Sequence, residues 1–344
     1  MYMKAKLASL LLAATLVVPS LAQARETLIM TCYGGAYQSF FESEIIPEFS
    51  KKYDCDIKLA IGLAKDWLAE MRASGKDNAP YDVVMMNEIW ANQMRLEGYF
   101  APLDEGKIPY MKDAFVVFKD KSGANSGIIG VIQPAGIAYL TDKVSNPPKS
   151  WKDLWKPEYK NKLGLYTVTN SMGGEFLLTV GDVWFGDQKQ TSKSIDKIRE
   201  LKPFKLSEFS GDMEKQLTLG EVEIGVLDTP AIARLKKAGV NIGWSEPAEH
   251  MIMFEQVFSV HTGSKHKDLA QAWINYLLSP EIQTKFVRRF YTTPCTQGVE
   301  VPDDLKEYIP VGPDGVSRIK VFDWEFFNAN KSRIIREWNQ KIAR

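Results

Sequence analysis

The stretch SGIIGVIQPAGIAYLT, residues 126–141, decides the fold that this sequence predicts. It reads as one extended apolar run, and it is much longer than an ordinary strand of about 5–6 residues. A strand of that length is suited to crossing from one lobe of a protein to another. FEQVFSVH, residues 254–261, is a second candidate crossing strand. The two runs together predict two lobes between which the chain passes more than once.

Shorter apolar runs of strand length alternate with helical patterns on either side of the crossing segment. They are TLIMTC (27–32), DIKLAIG (56–62), YDVVMMN (81–87) and VEIGVLD (222–228). Such alternation is typical of parallel sheets in α/β proteins. A helical pattern is clearest in residues 269–277, where apolar side chains recur at i, i+3, i+4, i+7 and i+8. The predicted fold class is α/β.

The length of the chain also favours two lobes. It has 344 residues, whereas single hydrophobic cores stop growing at about 250–300 residues. We predict that lobe 1 consists of residues 25–136 and 258–305. Lobe 2 then consists of residues 137–257 and 306–344.

Residues 1–24 have the pattern of a secretory signal peptide. Lys4 and Lys6 precede an apolar run over residues 7–18, and Ala22-Gln23-Ala24 provides the small residues of a cleavage site. The apolar run is shorter than the roughly 20 residues that a membrane-spanning helix needs. We therefore expect an exported chain that begins near Arg25.

The charge balance argues against a nucleic-acid partner. The sequence has 43 basic and 43 acidic residues, and loss of Lys4 and Lys6 with the leader makes the remainder slightly acidic. Binding to nucleic acid requires a basic patch.

The three cysteines predict few disulfide bonds. Cys32 ends the first predicted strand and Cys55 precedes the second. If these strands are parallel, the two thiols lie at opposite ends of the sheet and cannot pair. A bond between Cys32 and Cys295 is the pairing that the sequence leaves open.

Two glycines follow the first strand in TCYGGAYQSFFESEIIPEFSKKY, residues 31–53. They do not form G-x-G-x-x-G or a P-loop ending in Gly-Lys-Ser/Thr, and nucleotides are not the expected ligands of an exported protein. Gly34 and Gly35 therefore predict a loop where the backbone comes close to another kind of ligand.

Catalysis and metal binding have little support in the sequence. It contains no G-x-S-x-G and no convincing Ser/His/Asp set. His250, His261 and His266 are interpreted as solvated histidines, the last two in a polar loop, because no second group of metal ligands accompanies them. We expect no enzyme activity, no metal and no cofactor; an exported hydrolase is the less favoured alternative.

Five ordered segments carry a family resemblance. They are YGGAYQSFFESEIIPEFSKKY, PYDVVMMNEIWANQMRLEGYFAPLD, PKSWKDLWKPEYKNKLGLY, GEVEIGVL and AWINYLLSPEIQTKF. In order and spacing the sequence resembles the periplasmic spermidine/putrescine-binding proteins of ABC transporters, within the bacterial extracellular solute-binding proteins. The resemblance implies the two-lobed type II periplasmic-binding-protein fold and a monomer. It also implies a small solute bound between the lobes and an inner-membrane ABC permease that receives it.

The resemblance assigns ligand contacts in lobe 1 to the ends of the first and third strands. Tyr37 could equally pack on its own helix, and Glu88 could be a solvated acid at a helix start. Ile89 and Trp90 replace two adjacent tyrosines of the polyamine binders, so one aromatic wall is missing. The assigned residues are Tyr33, Gly34, Gly35, Tyr37, Asn87, Glu88 and Trp90.

In lobe 2 and the second crossing strand the resemblance assigns three acids. Glu175 could instead be a surface acid on a first helical turn, where the helix dipole favours it. Asp228 stands where the polyamine binders have tryptophan, and it could help cap a helix whose N-cap we predict to be Thr229. Glu255, flanked by apolar residues, is costly to bury without a partner, and we rank it first.

An acid-rich cleft predicts a cationic or amino-bearing solute similar to a polyamine. Thiamine, an amino-phosphonate or an opine-type solute remain alternatives within the same fold. Iron is disfavoured because the adjacent tyrosine pair is absent.

Overall fold

The computed structural model describes residues 25–120, 124–202, 204–306 and 309–343. The predicted signal peptide, residues 1–24, lies outside the described residues. Within these four ranges, no helix combines the length and the apolar character needed to cross a membrane.

The strands of the described residues join in one ten-stranded mixed sheet. Its main path has the order β2-β1-β3-β10-β5-β8-β6-β7, while β4 pairs with β10 and β9 pairs with β5. The strands are β1 Glu26–Cys32, β2 Cys55–Ile61, β3 Val83–Met86, β4 Phe100–Ala101, β5 Ile128–Leu140, β6 Leu163–Tyr166, β7 Lys205–Ser207, β8 Ile224–Asp228, β9 Ile242–Ser245 and β10 Ile252–His261.

Helices alternate with these strands along most of the described chain. The α/β prediction is confirmed. The helices are α1 Ala36–Phe40, α2 Ile46–Tyr53, α3 Ala64–Ser74, α4 Glu88–Leu96, α5 Ser171–Phe185, α6 Thr191–Arg199, α7 Ser210–Thr218, α8 Thr229–Lys237, α9 Lys267–Leu277, α10 Pro280–Phe290, α11 Gly312–Ser317 and α12 Trp324–Lys341.

The two predicted crossing segments form the centre of the sheet. Strand β5 has 13 residues; its beginning pairs with β10 and its residues 135–139 pair with β8. The register between β5 and β10 shifts at Gly130, where an added Cβ would lie 2.3 Å from the Phe258 ring. Glycine is thus required for this close approach of the two strands.

Strand directions bring the carboxyl ends of two groups of strands together. Strand β10 is antiparallel to both β3 and β5, so β3 and β5 run in the same direction. Strand β8 is antiparallel to β5 and therefore runs the opposite way. Since β1 is parallel to β3 and β6 is parallel to β8, the carboxyl ends of the two groups face each other.

Two large hydrophobic cores lie on either side of this central region. The first includes Phe41, Trp273 and Phe286, and the second includes Trp151 and Trp338. We call the part of the chain around the first core lobe 1 and the part around the second core lobe 2. The residue bounds given above for the two lobes remain a prediction.

The cysteines are all free and buried. Glu26 of β1 pairs with Cys55 of β2 in a parallel register, which places Cys32 and Cys55 at opposite ends, as predicted. The pairing left open between Cys32 and Cys295 is not formed. Burial raises the pKa of the Cys32 thiol to about 12, so it is an inert, protonated side chain at neutral pH.

Candidate functional site

The site lies where the facing strand ends meet the two crossing strands. We call this region the interlobe cleft; it is bounded by Tyr33 after β1, Asn87 after β3 and Asp228 at the end of β8, and its floor is residues 131–134 and 253–256. In open α/β sheets, ligands bind outside the carboxyl ends of strands. The topology therefore brings most of the predicted ligand residues to one region.

Glu255 lies on the floor of the cleft and is fully buried. Its Oε1 accepts a hydrogen bond of 2.7 Å from the backbone N–H of Glu88, the first residue of α4. Its Oε2 is also buried but has no hydrogen-bond partner among the described residues. Burial raises the pKa of Glu255 to about 8, because an apolar environment disfavours the charged form.

Glu175 is a second buried acid of the same kind. Its Oε2 accepts a hydrogen bond of 2.9 Å from the backbone N–H of Met253, and its Oε1 is buried without a partner in the described part of the chain. Burial raises the pKa of Glu175 well above its usual value, and the nearby charge of Glu255 raises it further. The alternative of a surface acid is wrong, because Glu175 lies in the buried part of α5.

Asn87 and Tyr33 connect the strand ends to Glu255. Asn87 donates a hydrogen bond of 2.6 Å from Nδ2 to the backbone oxygen of Glu255 and accepts one of 3.2 Å from the Tyr33 hydroxyl. The Tyr33 ring also packs against Trp67, with ring centroids 5.1 Å apart. Trp67 was not among the predicted site residues. The local sequence places it on the helix after the second strand, α3, but does not indicate that it packs against Tyr33.

The two glycines form an exposed turn beside Tyr33. Gly35 has φ +74°, a conformation that favours glycine, and it is the residue before α1. A Cβ at Gly34 would lie 3.3 Å from the Ile61 side chain. The backbone conformation at Gly35 and the limited space at Gly34 are sufficient to account for glycine at these two positions. Contact between the two glycines and a ligand remains a prediction.

Tyr37 packs on a neighbouring helix rather than on its own. Its ring stacks on Phe290 of α10 with centroids 4.7 Å apart and an interplanar angle of 17°. Its hydroxyl is buried without a partner among the described residues. Burial raises the pKa of Tyr37, and the charge of Asp228 raises it further, so the tyrosine of lobe 1 lies near the acid of lobe 2.

Asp228 is the N-cap of α8. Its Oδ1 accepts a hydrogen bond of 2.9 Å from the backbone N–H of Ala231, so the predicted N-cap, Thr229, is wrong by one residue. The side chain is buried, and burial raises its pKa against the opposing charge of Arg234. The Tyr166 hydroxyl, whose pKa is also raised by burial and then by Asp228, is buried without a partner in the described ranges.

Glu88 is part of a buried ion pair. Its Oε1 accepts a hydrogen bond of 2.7 Å from Nη1 of Arg95, and the two side chains are only 13% and 5% exposed. Arg95 Nε also lies 3.3 Å from Oδ2 of Asp120. The alternative of a solvated acid at the helix start is therefore wrong.

Trp90 lies at the junction of the lobes and contacts both cores. One face of its ring is covered by Lys331 of α12, whose Nζ is 3.9 Å from the ring centroid. The residue before it, Ile89, belongs to the core of lobe 2. The ring that the resemblance assigns to a ligand thus already contacts a cation of the protein.

A cavity of about 320 Å³ lies beside this part of the cleft, between α4 and the start of α12. Glu88 is the one predicted ligand residue that lines it, and Arg95, Trp324 and Glu325 are among its other walls. The cavity therefore adjoins the helix start that binds Glu255, and it is not lined by Tyr37 or Asp228.

Two histidines are more deeply placed than the sequence indicated. His261 at the end of β10 is fully buried and His250 is 8% exposed, so the interpretation as solvated side chains is wrong for both. Burial lowers the pKa of His250 to about 4. Among the described residues, no three His, Cys, Asp or Glu side chains are grouped as metal binding would require.

Comparisons with known proteins agree with this fold. The family described as "Bacterial extracellular solute-binding protein" matches residues 44–311. The spermidine/putrescine-binding periplasmic protein of Escherichia coli (strain K12) is 24% identical over 326 residues, which cover 91% of each chain. Spermidine/putrescine-binding periplasmic protein 1 of Haemophilus influenzae is 24% identical over 263 residues, 74% of this chain and 72% of the relative.

A solved structure gives the same result for the fold. The crystal structure of an ABC transporter from Clostridium perfringens superimposes with a TM-score of 0.81 and 25% sequence identity, covering 92% of this chain and 99% of the other. The fold and the cleft define a two-lobed solute-binding protein. The family match extends over more than half of the sequence, and this chain belongs to the bacterial extracellular solute-binding proteins.

Proposed function

We propose that this protein captures a small amino-bearing solute, similar to a polyamine, in the interlobe cleft and delivers it to an inner-membrane ABC permease. It is a periplasmic solute-binding component of an ABC transporter. The proposed ligand contacts are the rings of Tyr33, Tyr37 and Trp90, the polar groups of Asn87 and of the turn at Gly34 and Gly35, and the acids Glu88, Glu175, Asp228 and Glu255.

The observation that carries the proposal is a pair of buried acids, Glu255 on the floor of the cleft and Glu175 of α5, which binds the floor at Met253. Glu255 and Glu175 each have one carboxyl oxygen that is bound to a backbone N–H and a second that is buried without a partner among the described residues. Burying such groups is costly unless they are paired. An ammonium group supplies both the missing hydrogen-bond donors and the missing positive charge.

The position of the pair also supports a role in binding. Glu175 belongs to lobe 2, while Glu255 is held by the first residue of α4 in lobe 1. A cation between the two acids would therefore contact both lobes and stabilise their closed arrangement. Proteins shift toward the state that binds the ligand more tightly, and closure around a solute is the event that a transporter needs to detect.

Asp228 and the two tyrosines favour a solute longer than a single ammonium ion. Burial raises the pKa of the Tyr33 phenol, which lies close enough to Glu255 for the charge of that acid to raise it further. The pKa of the Tyr37 phenol is raised by burial and by the charge of Asp228 in the same way. Rings that follow an alkyl chain from Glu255 toward Asp228 would add cation–π and apolar contacts of roughly 0.5–2 kcal/mol each. The relatives named for spermidine and putrescine support this class of solute.

A thermal-shift screen tests the proposal. Ligand that binds only the folded state raises its stability by RT ln(1 + [L]/Kd), or about 2.7 kcal/mol at a hundredfold excess over Kd. Polyamines, thiamine, amino acids, amino-phosphonates, sugars and metal ions should be compared. We expect the melting temperature to rise with amino-bearing solutes; a rise with sugars or metal ions alone would refute the proposal, and turnover of an ester or amide would favour the hydrolase.

Calorimetry on two variants then tests the role of Glu255. Glu255→Gln keeps an oxygen for the N–H of Glu88 but removes the charge, and loss of one member of a buried charge pair costs about 2–5 kcal/mol. The Kd should therefore weaken more than tenfold, while the ligand-free fold keeps its stability because a buried carboxyl has been removed. Glu105→Gln, which changes an exposed acid, is the matched control. Equal affinity in parent and Glu255→Gln would exclude this role.

A further inference from the structure

Lys331 places an ammonium group of the protein on the face of Trp90. The Nζ atom is 3.9 Å from the ring centroid, which is within the range of a close cation–π contact. Trp90 belongs to α4 and contacts both cores, whereas Lys331 belongs to α12. The contact therefore lies at the junction of the lobes, beside residues of the interlobe cleft.

The position of Lys331 is set by the helix that carries it. Asn328, one turn earlier on α12, donates hydrogen bonds from Nδ2 to the backbone oxygen of Ile89 at 2.9 Å and to Oδ1 of Asn92 at 3.1 Å. These bonds hold α12 against α4 on both sides of Trp90. Side chains at i and i+3 lie on the same helix face, so the anchored helix directs Lys331 to the same surface of α4.

Within the described ranges, Lys331 forms no ion pair with an acid, unlike two other partly buried lysines. Lys320 pairs with Asp182, and Lys285 pairs with Glu48. In the part of the chain that the structure describes, the ring of Trp90 is the contact that Lys331 makes. Burial lowers the pKa of Lys331, and no ion pair joins its ammonium group to a carboxylate among the described residues.

An uncompensated ammonium group changes which solutes the cleft can accept. A second ammonium group brought to Trp90 would meet the like charge of Lys331 and find the ring face occupied. An anionic group brought to the same place would gain a counter-charge for Lys331 and hydrogen-bond donors from its ammonium group. The Trp90 side of the lobe junction thus favours an anionic group, whereas Glu255 and Glu175 favour a cation.

We propose that Lys331 is a specificity-determining residue, and that the cleft selects a zwitterionic solute, with an ammonium group for the acid pair and an anionic group for Lys331, over a diamine. This inference rests on the part of the proposed function that places an amino-bearing solute in the cleft, and it departs from the likeness to a polyamine at the second charged group, which it makes anionic. We therefore expect an amino acid with a short chain between its charged groups to bind more tightly than a diamine of equal length.

The test compares three solutes with four carbon atoms in their chains. They are 4-aminobutanoate, butylamine and 1,4-diaminobutane, measured by calorimetry on the parent, Lys331→Met and Lys331→Arg. We expect the parent to bind 4-aminobutanoate most tightly and 1,4-diaminobutane least tightly. Lys331→Met should change the ratio of the two Kd values by at least tenfold in favour of the diamine, while Lys331→Arg should keep the parent ratio.

The ratio distinguishes specificity from a merely structural role. If Lys331 only held α12 against α4, its loss would weaken binding of both solutes alike and leave their ratio unchanged. Lys341→Met, a neutralisation near the far end of the same helix where Lys341 pairs with Asp196, controls for the change of overall charge. Should Lys331→Met fail to fold, Lys331→Gln provides the same neutralisation.

Each result has a separate meaning. If the parent binds none of the three amines or any other amino-bearing solute, the proposed function itself fails, and this inference with it. If the parent binds amines but the Kd ratio is the same in Lys331→Met, only the inference about Lys331 is overturned. A parent that already prefers 1,4-diaminobutane over 4-aminobutanoate would overturn it as well.

Discussion

At the scale of single residues, burial distinguishes Glu255 from a surface acid. Its apolar neighbours in the sequence rank it first among the acids, and the structure shows that it is fully buried. A backbone N–H satisfies one of its oxygens, while the other has no partner among the described residues. Because burial raises the pKa of Glu255 to about 8, its role can be tested by varying the pH.

The affinity for an amino-bearing solute should increase with pH up to about 8. In the ligand-free protein, burial raises the pKa of Glu255 to about 8, so at pH 6 the carboxyl group carries a proton that an ammonium ligand must displace. One pKa unit corresponds to 1.36 kcal/mol. As the pH is raised from 6 to 8, the Kd should therefore decrease by up to tenfold per pH unit, and above pH 8 it should be constant. Calorimetry at pH 6, 7, 8 and 9 measures this slope.

Glu255→Gln provides the control for the pH series. Removal of one titrating carboxyl group should reduce the slope, and the titration of Glu175 accounts for any slope that remains. A Kd of the parent that is independent of pH between 6 and 8 would show that Glu255 does not exchange a proton for the ligand.

At the scale of secondary-structure elements, helix α4 connects the cleft to the rest of lobe 1. Its first N–H binds Glu255, and its last turn contains Arg95, whose guanidinium group reaches back to the Glu88 carboxylate at 2.7 Å. The helix is therefore fixed at the cleft end by a buried ion pair within itself. Asp120, 3.3 Å from Arg95 Nε, ties this pair to the segment that leads into β5.

Arg95→Met should destabilise the protein far more than Arg72→Met. The first variant leaves the Glu88 carboxylate buried without its partner, which commonly costs about 3–5 kcal/mol. Arg72 forms a similar pair with Glu97, but these side chains are 43% and 35% exposed, and exposed pairs contribute about 0–1 kcal/mol. Urea unfolding of the two variants measures the difference; equal losses of stability would contradict the structural importance of the buried pair.

At the scale of the whole molecule, the two lobes share their central strands. Strand β5 contributes Ile128 and Ile129 to the first core and Ile137 and Ala138 to the second. Strand β10 likewise contributes Phe258 to the first core and Ile252 to the second. Unfolding of either lobe would therefore remove strand partners and buried contacts from the other.

We expect urea unfolding to be a single transition. Far-UV circular dichroism reports the helices and strands of both lobes, and tryptophan fluorescence reports rings such as Trp273 in lobe 1 and Trp151 in lobe 2. The two signals should have coincident midpoints, as two-state unfolding requires, and a saturating ligand should move them together. Two separated transitions would indicate lobes that unfold independently despite the shared strands.

Much of the fold could be predicted from local patterns. The long run at 126–141 became β5, and FEQVFSVH became the larger part of β10. These patterns are reliable because strand and helix periodicities are set by neighbouring residues in the chain. Local patterns do not decide the N-cap of α8, since Asp228 and Thr229 are both good caps and the choice depends on where β8 ends.

Local sequence patterns are sufficient for the α/β class, the crossing strands and the strand ends that carry the candidate residues. Which of those residues are buried, which are paired and which have no partner among the described residues follows from the packing of the folded chain. Glu255 and Glu88 are 167 positions apart, and Asn328 and Ile89 are 239 apart. Burial and pairing across such separations depend on how strands and helices pack in space, whereas local periodicity records only which face of its own element a residue occupies.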